Sequence, residues 1–221
     1  LPLLLASVVL GPAPDIAPRG LWRLAMAPAL IAFILVIHPW LLELARLRIQ
    51  VFREFPYLYD GSAAYEEKYL KTYVDAPDSV MVLVWDSERV VGASSGLPLA
   101  AETPNVIKPF LTHGYDPSRI FYYGESVLLP EYRGRGLGKR FFEERAAHVC
   151  ELGRFDIACF CAVERPADHP RRPAGYIPLN ALWNQEGFVK HPELHTTFSW
   201  RDLDEATESS KPMVFWLKTL N

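Results

Sequence analysis

The sequence carries little net charge and has no long basic or acidic run. Its 221 residues include 23 lysines and arginines against 26 aspartates and glutamates, which leaves a net charge of −3. This balance provides no basic surface for nucleic acid, so we expect no nucleic-acid partner. The length suits one domain with a sizeable core. With 50% hydrophobic and 22% charged residues, the composition is typical of a globular protein.

Cysteine is also scarce, and no metal-ligand spacing is present. Cys159 and Cys161 would share one face of a strand, Cys150 stands apart, and the histidines show no paired spacing. We therefore expect no metal. Buried, reduced thiols in a cytoplasmic protein are the favoured interpretation.

The apolar runs near the N-terminus are too short or too interrupted for a membrane span. Leu24 to Ile37 covers 14 residues and contains Pro28, whereas a span needs about 20 residues. No basic region precedes Leu1, as a secretory signal would require. We expect residues 1–25 to be a non-native or disordered extension and residues 26–221 to form a single domain. A membrane tether through residues 24–42 is the less favoured alternative.

One stretch joins an apolar run, a basic glycine loop and a helical pattern. The apolar run extends from Phe121 to Leu129, the loop Arg133 to Gly138 reads RGRGLG, and apolar residues then recur at helical spacing up to Leu152. A helix that begins in such a loop directs unpaired N–H groups and the positive end of its dipole at one point. We therefore expect a phosphate-bearing ligand here.

Two common phosphate-binding loops do not fit this stretch. A Walker loop, G-x-x-x-x-G-K-[ST], would need glycine in place of Arg133 and Ser or Thr in place of Arg140. The dinucleotide fingerprint, G-x-G-x-x-G, fits Gly134 and Gly136 but meets Lys139 at its third glycine.

The loop does match [RQ]-x-x-G-x-[GA] through Arg133, Gly136 and Gly138, with Pro130 and Tyr132 before it in the arrangement V-x-P-x-Y-R. It thereby resembles the acetyl-coenzyme A loop of the GNAT-type N-acetyltransferases. The segment PLNALWNQEGF, residues 178–188, is similar to a helix-to-strand junction of that family. The resemblance implies direct acetyl transfer from acetyl-CoA, as co-substrate, to an amine in a ternary complex. It also implies these coenzyme-binding residues: Leu128, Leu129, Arg133, Gly134, Arg135, Gly136, Leu137, Gly138, Lys139 and Asn180.

The order of predicted elements, β-α-α-β-β-β-α-β-α-β-β, is similar to the GNAT topology over roughly residues 30–220. We predict strands at Leu30–Ile37, Val80–Trp85, Arg89–Gly96, Phe121–Leu129, Asp156–Val163, Glu193–Arg201 and Pro212–Thr219. We predict helices at Trp40–Arg53, from Ser62 to Val74, after Gly138 and at Pro178–Gln185, and one helical turn within the proline-rich insertion Pro98–Ser118. The resemblance implies an α/β (α+β) fold: a mixed, mostly antiparallel central sheet flanked by helices, with two parallel strands splayed at the coenzyme site.

The implied chemistry needs a base for the acceptor amine. Glu125 lies inside an apolar strand, where a carboxylate needs a partner or a role. It is our first candidate base, and an ion pair with Arg48 or Arg119 is the alternative. Glu164 is the second candidate. Backbone N–H groups around Leu128 and Leu129 would stabilise the oxyanion.

The leaving thiolate raises a separate question. Family members often place a tyrosine four residues before the Gly-Phe glycine as the acid, and here that position is Trp183. Tyr122, Tyr123 or Tyr176 could serve instead, and Tyr123 and Tyr176 are our candidate catalytic residues, or the thiolate leaves unaided. The departure keeps open a second class of function, a non-catalytic module that binds acyl-CoA.

The acceptor site is expected in the loops 55–61, 98–118 and 165–178. Tyr57, Tyr59 and Asp60 would suit a cationic amine, whereas Arg165, Arg171 and Arg172 would suit an acidic acceptor. The sequence leaves this choice open. The expected partner is a small-molecule or peptide amine, no membrane is expected, and a homodimer stays an open option.

Overall fold

The computed structural model describes residues 4–10 and 42–220, in which seven strands form one sheet. The strands are β1 (Leu4–Leu10), β2 (Ser79–Asp86), β3 (Arg89–Pro98), β4 (Ile120–Leu128), β5 (Ile157–Val163), β6 (Val189–Trp200) and β7 (Ser209–Thr219). Their order across the sheet is β1-β2-β3-β4-β5-β7-β6. Of the strand pairs described, only β4 with β5 is parallel.

Five helices accompany the sheet in the described residues. They are α1 (helical over 42–52), α2 (Ala63–Asp75), α3 (Pro104–Thr112), α4 (Leu137–Leu152) and α5 (Asn180–Gln185). Ser62 caps α2, as predicted, because its hydroxyl accepts from the Tyr65 N–H at 3.3 Å. Gly153 ends α4 in the left-handed conformation that favours glycine. The mixed, mostly antiparallel sheet flanked by helices confirms the predicted fold class.

Helices α2 and α4 lie on opposite faces of the sheet, and adjacent residues of β4 show this. The Tyr123 ring lies 6.2 Å from that of Phe142 in α4. At Gly124, by contrast, an added Cβ would approach the Tyr73 hydroxyl of α2 to 1.8 Å. Since neighbouring strand residues point to opposite faces, the sheet is covered on both sides. Accordingly β2, β3 and β4 are buried over most of their length.

The parallel pair separates soon after it begins. Ile120–Tyr122 pair with Ile157–Cys159, and no further β4–β5 pairing is recorded beyond these residues. From there β5 follows β7 through Val163, while β4 follows β3 to Leu128. The two strands are thus splayed, as the resemblance implied.

A bulge in β4 changes which face its side chains meet. Gly96 pairs with Tyr123 and Ser94 with Ser126, so that Gly124 and Glu125 together oppose Ser95. The Ser95 hydroxyl accepts from the Glu125 N–H at 3.2 Å. Two residues facing one is the arrangement by which bulges re-aim a side chain, and here it turns Glu125 toward α1 and α2.

The N-terminal strand differs from the sequence interpretation. Leu4–Leu10 pair with β2 along seven residues, although they belong to the segment 1–25 that we assigned to an extension outside the domain. The strand predicted at Leu30–Ile37 and the candidate tether at 24–42 lie outside the described residues, except for residue 42. The limits of the domain therefore stay a prediction.

The insertion between β3 and β4 is more helical than predicted. Instead of one turn it contains the nine-residue helix α3, with Pro104 in its first turn and Pro109 inside it. Proline suits the first turn but removes an N–H inside a helix. The carbonyl of Asn105, four residues before Pro109, accepts instead from the Thr196 hydroxyl of β6 at 2.6 Å. A contact distant in sequence thus compensates for the proline.

Candidate functional site

The glycine loop lies open at the N-terminus of α4. Gly134 and Gly136 have φ of 73° and 79°, and a Cβ added at either would meet nothing within 4 Å. Gly136 caps α4 without a side-chain hydrogen bond, and no acidic side chain occupies the first turn. The N–H groups of the first turn have no carbonyl partner within the helix. The arrangement therefore leaves backbone N–H donors open to the surroundings at the positive end of the helix dipole.

The basic side chains of the loop are held by neighbours. Arg133 donates to the Leu128 carbonyl at 3.1 Å and to Glu54 at 2.8 Å. Arg135 donates to the Glu131 carbonyl at 2.8 Å. Lys139 is exposed, 3.9 Å from Glu143. The Arg133–Glu54 pair links the glycine loop to the segment that follows α1.

The two predicted oxyanion donors are not equivalent. The Leu129 N–H donates to the Val91 carbonyl at 3.0 Å and is therefore already used, which corrects its predicted role. In an antiparallel ladder, neighbouring residues direct their N–H groups to opposite sides. The Leu128 N–H therefore points away from β3, toward the gap that β5 leaves.

A cavity of about 380 Å³ lies at this gap. Gly124, Glu125 and Ser126 line it from β4, and residues 160–163 line it from β5. Asn180 and Trp183 of α5 form part of another wall. The ring of Trp183 lies 5.0 Å from those of Phe160 and Trp216, so the position where the family often has a tyrosine holds an aromatic side chain without an acidic proton.

Glu125 is buried in this cavity wall within a charged cluster. Its Oε2 accepts from the Tyr69 hydroxyl at 2.6 Å and lies 2.8 Å from Arg48 Nη1. Arg48 also donates through Nε to Glu66, and the Tyr69 hydroxyl lies 2.8 Å from that of Tyr73. Among the described residues, Glu125 Oε1 is buried without a hydrogen-bond partner. One carboxylate oxygen is thus held, and the other keeps its lone pairs available.

Arg145 is a second buried cation in the cavity wall, with 2% of its surface exposed. It donates to the carbonyls of Phe141, Ser95 and Glu125 at 3.1–3.3 Å, and its guanidinium lies 4.2 Å from the centroid of the Tyr123 ring. Burial lowers the pKa of Arg145 to about 10, so the side chain stays charged at neutral pH.

The structure separates the candidate acids. Tyr123 faces α4 and is absent from the lining of this cavity, so it lies on the wrong face of the sheet for the predicted role. Tyr122 and Tyr176 line the cavity. The Tyr122 hydroxyl lies 3.1 Å from Cys161 Sγ, and burial raises the pKa of Tyr122 well above its ordinary value. Burial also raises the pKa of Tyr176.

The predicted acceptor residues are divided in the same way. Tyr57 and Tyr59 line the cavity. Asp60 does not, and its carboxylate pairs with Arg53 at 3.1 Å and with Arg201, which corrects the prediction of an acid in the acceptor pocket. The second candidate base, Glu164, lines the cavity but pairs with Lys190 at 2.6 Å.

The sequence indicated Arg48 or Arg119 as a possible ion-pair partner of Glu125, and the structure shows the pair with Arg48, whereas Arg119 pairs with Asp156. Glu66, Tyr69 and Arg145 were assigned no site role. A charge within an apolar helical stripe was the signal for Arg48, because such a residue must find a buried partner. Arg145 likewise follows Phe141 and Phe142 on the buried side of α4. A glycine inside a strand, here Gly124, often marks a bulge and would have indicated that β4 re-aims the next side chain.

The described residues contain neither a metal-ligand cluster nor a membrane-spanning helix. No group of three or more His, Cys, Asp or Glu side chains within them could hold a metal ion. No helix in the same part of the chain is long and apolar enough to span a membrane.

The described fold is that of GNAT acetyltransferases. The structure of Arabidopsis thaliana NAA60 in complex with acetyl-CoA matches with a TM-score of 0.54 and 15% identity, over 82% of this chain and 93% of that one. The ribosomal-protein-alanine N-acetyltransferase from Brucella melitensis (0.51, 14%, 81% and 94%) and the GNAT-family acetyltransferase from Streptococcus pneumoniae (0.51, 13%, 81% and 94%) also match. Identities this low establish the fold alone. No protein-family model and no curated protein matches the sequence.

Proposed function

We propose that the protein is an N-acetyltransferase that moves an acetyl group from acetyl-CoA to an amine acceptor within a ternary complex. One observation carries the proposal: the strand gap that follows from the β4–β5 splay opens into a cavity with a buried carboxylate, and an open glycine loop follows the same strand. The fold shared with NAA60 in complex with acetyl-CoA supports the choice of co-substrate, and the Brucella N-acetyltransferase supports an amine acceptor.

The glycine loop fits a diphosphate because a side chain at Gly134 or Gly136 would project into open space, where a ligand can approach the backbone. The N–H groups of Leu137, Gly138 and Lys139 would hold its oxygens. The backbone of β4 that faces the gap would pair with the pantetheine arm, and Asn180 would contact it from α5.

Glu125 would take the proton that the acceptor amine must lose, directly or through water. An ammonium has no lone pair, so the amine becomes a nucleophile only after this transfer. Arg48 and Tyr69 hold one oxygen of the carboxylate, and the unpartnered Oε1 is the atom that would accept the proton. The Leu128 N–H would donate to the oxygen that gains charge as the N–C bond forms.

The C–S bond then breaks, and the thiolate takes a proton from Tyr176 or Tyr122, or leaves unprotonated. Burial raises the pKa values of both tyrosines, so each is protonated at neutral pH but is a weaker acid than the departing thiol. Departure without a proton is tolerable, since a thiol has a pKa of about 8.5.

The second candidate is a module that binds acyl-CoA without turnover. Trp183 favours it, because the wall position that could hold an acid holds an indole packed against Phe160. The pairing of Glu125 with Arg48 favours it too, because the carboxylate already has a buried cation as its partner.

Calorimetry with acetyl-CoA, together with an assay of thiol release over a panel of amines, tests the proposal. We expect heat of binding and acceptor-dependent release. Binding without release for any amine would favour the module, and the absence of heat would overturn both candidates.

A further inference from the structure

Arg172 is a positively charged residue of the cavity wall. It lies in the loop between β5 and α5 and lines the cavity. Its guanidinium carbon lies 5.0 Å from the centroid of the Tyr176 ring and 5.9 Å from that of Phe55. Among the side chains that the structure describes, no Asp or Glu forms an ion pair with it, although ion pairs are present at Arg165 and Arg171.

Other cations near Arg172 are paired. Arg165 makes two contacts of 2.8–2.9 Å with Asp202 and donates to the Pro56 and Tyr57 carbonyls. Arg171, the adjacent residue, lies 3.3 Å from Asp204, and Lys190 lies 2.6 Å from Glu164. Arg171 and Arg172 therefore differ in two ways. Arg171 is paired with Asp204, and of the two only Arg172 lines the cavity.

The rings of Phe55 and Tyr176 hold the Arg172 guanidinium in place without using its hydrogen-bond donors. Aromatic faces hold an arginine by cation–π contact and leave its N–H donors unused. Those donors form a planar fork that matches a carboxylate in two parallel hydrogen bonds. Since Asp60 points away from the cavity and is paired with Arg53 and Arg201, no acid from that loop competes for Arg172.

A negatively charged group, the Glu125 carboxylate, lies in the wall of the same cavity. Glu125 there has a buried oxygen without a hydrogen-bond partner, which suits the proton of an amine. An acceptor that meets both groups carries an amine at one end and an anion at the other. We propose that Arg172 binds a carboxylate of the acceptor, so that the substrate class is an amine that also bears a carboxylate, for example an amino acid. This inference rests on the proposed acetyl transfer and on the same cavity.

Pairs of acceptors that differ only in the carboxylate test the inference. Free α-, β- and γ-amino acids are compared with their carboxamides by thiol release and by calorimetry without acetyl-CoA. Because charge-assisted hydrogen bonds contribute about 1.5–3 kcal/mol, we expect the acids to exceed the amides by about tenfold to hundredfold in kcat/KM and in affinity. Equal values for acid and amide, or release only with amines that lack a carboxylate, would overturn the inference.

Arg172→Gln should remove the preference for the acids, and Arg171→Gln is the matched control that should keep it. Calorimetry with acetyl-CoA distinguishes the acceptor carboxylate from a phosphate of the coenzyme. Unchanged acetyl-CoA affinity in Arg172→Gln supports the acceptor, whereas a loss equal to that for the acids would assign Arg172 to the coenzyme and overturn the inference.

Failure of the proposed function gives a different result. If no amine releases thiol, acetyl transfer is not supported, but the binding experiment still decides the role of Arg172. Acid-selective binding that Arg172→Gln abolishes would support the carboxylate site, and binding of no carboxylate-bearing amine would overturn it.

Discussion

The glycine loop and the cavity use opposite means to prepare for a ligand. The loop is exposed, its donors are backbone N–H groups, and its glycines leave space beside them. The cavity is built from side chains, and its charges at Arg48, Glu125 and Arg165 are buried and paired before any ligand arrives, whereas Arg172 is not. A backbone site offers the same groups whatever the neighbouring side chains are, whereas a side-chain site depends on residues from many elements. The loop therefore suits a ligand that is the same in many related proteins, whereas the cavity suits a ligand that is specific to this protein.

Replacing Arg48, the cation that Glu66 and Glu125 share, should produce the largest effect. In Arg48→Met, the buried Glu66 and Glu125 lose their shared partner, and we expect the free energy of unfolding to fall by about 3–5 kcal/mol. Urea denaturation measures the change. Arg46→Met is the control, since the exposed Arg46–Glu43 pair should contribute less than about 1 kcal/mol. Adding Glu66→Gln and Glu125→Gln to Arg48→Met should recover part of the loss, and an undiminished loss would contradict the charge argument.

Neutralising the candidate base should reduce turnover while the loop still binds. Glu125→Gln keeps the shape of the side chain and removes its charge, so we expect kcat to fall by about a hundredfold or more. Acetyl-CoA affinity, measured by calorimetry, should be unchanged. Glu164→Gln is the matched control, since Glu164 also lines the cavity but pairs with Lys190. A kcat in Glu125→Gln that equals the wild-type value would remove Glu125 as the base.

A methyl group in the first turn of α4 should weaken ligand binding at the loop without destabilising the fold. Gly138 has an ordinary helical φ, and a Cβ there would come no closer than 4.0 Å to Leu182. Gly138→Ala should therefore raise the free energy of unfolding by up to about 1 kcal/mol, yet weaken acetyl-CoA binding by roughly tenfold because the methyl intrudes on the cradle. Gly175→Ala, in a loop with equal space, should leave the affinity unchanged. Wild-type affinity in Gly138→Ala would place the diphosphate elsewhere.

The smallest effect concerns Glu205, which hydrogen-bonds to the Asp202 N–H, to Lys211 and to Ser209. The Asp202 N–H, Lys211 and Ser209 lower the pKa of Glu205 to about 2. This contribution to stability is present above the unfolded pKa of about 4.3 and is lost as the pH falls toward 2. Glu205→Gln should therefore be less stable than wild type at pH 7, and the difference in urea midpoint should shrink at pH 3. A Glu205→Gln difference that stays constant with pH would refute the linkage.

The contrast between the two regions also explains what the sequence could predict. The strand, glycine loop and helix are contiguous, so their spacing alone indicated the turn at Gly136 and the cap at Gly153. The cavity joins Arg48 of α1, Tyr69 of α2, Glu125 of β4 and Arg172 of a distant loop, which no local pattern connects. Whether Asp60 or Arg172 keeps a free charge depends on partners such as Arg201 that only the fold brings near.

Tyr123 and Leu129 show how small such differences are. Tyr122 and Tyr123 are neighbours in the chain, but the alternation of β4 puts one in the cavity and the other against α4. Leu128 and Leu129 are divided by the same alternation, since one N–H faces the gap and the other is used by β3. Predicting either would have required the register of β4 and its bulge, which neighbouring strands determine.

The splay of β4 from β5 has a mechanical consequence. In the described residues, the sheet consists of a four-stranded half and a three-stranded half that are stitched together by only three residue pairs. Few hydrogen bonds resist a change of angle between the halves, so we expect the sheet to bend most easily at the β4–β5 boundary. A ligand that binds between β4 and β5 from the loop side would bridge the two halves. The stiffness of the whole sheet would then depend on whether that ligand is bound.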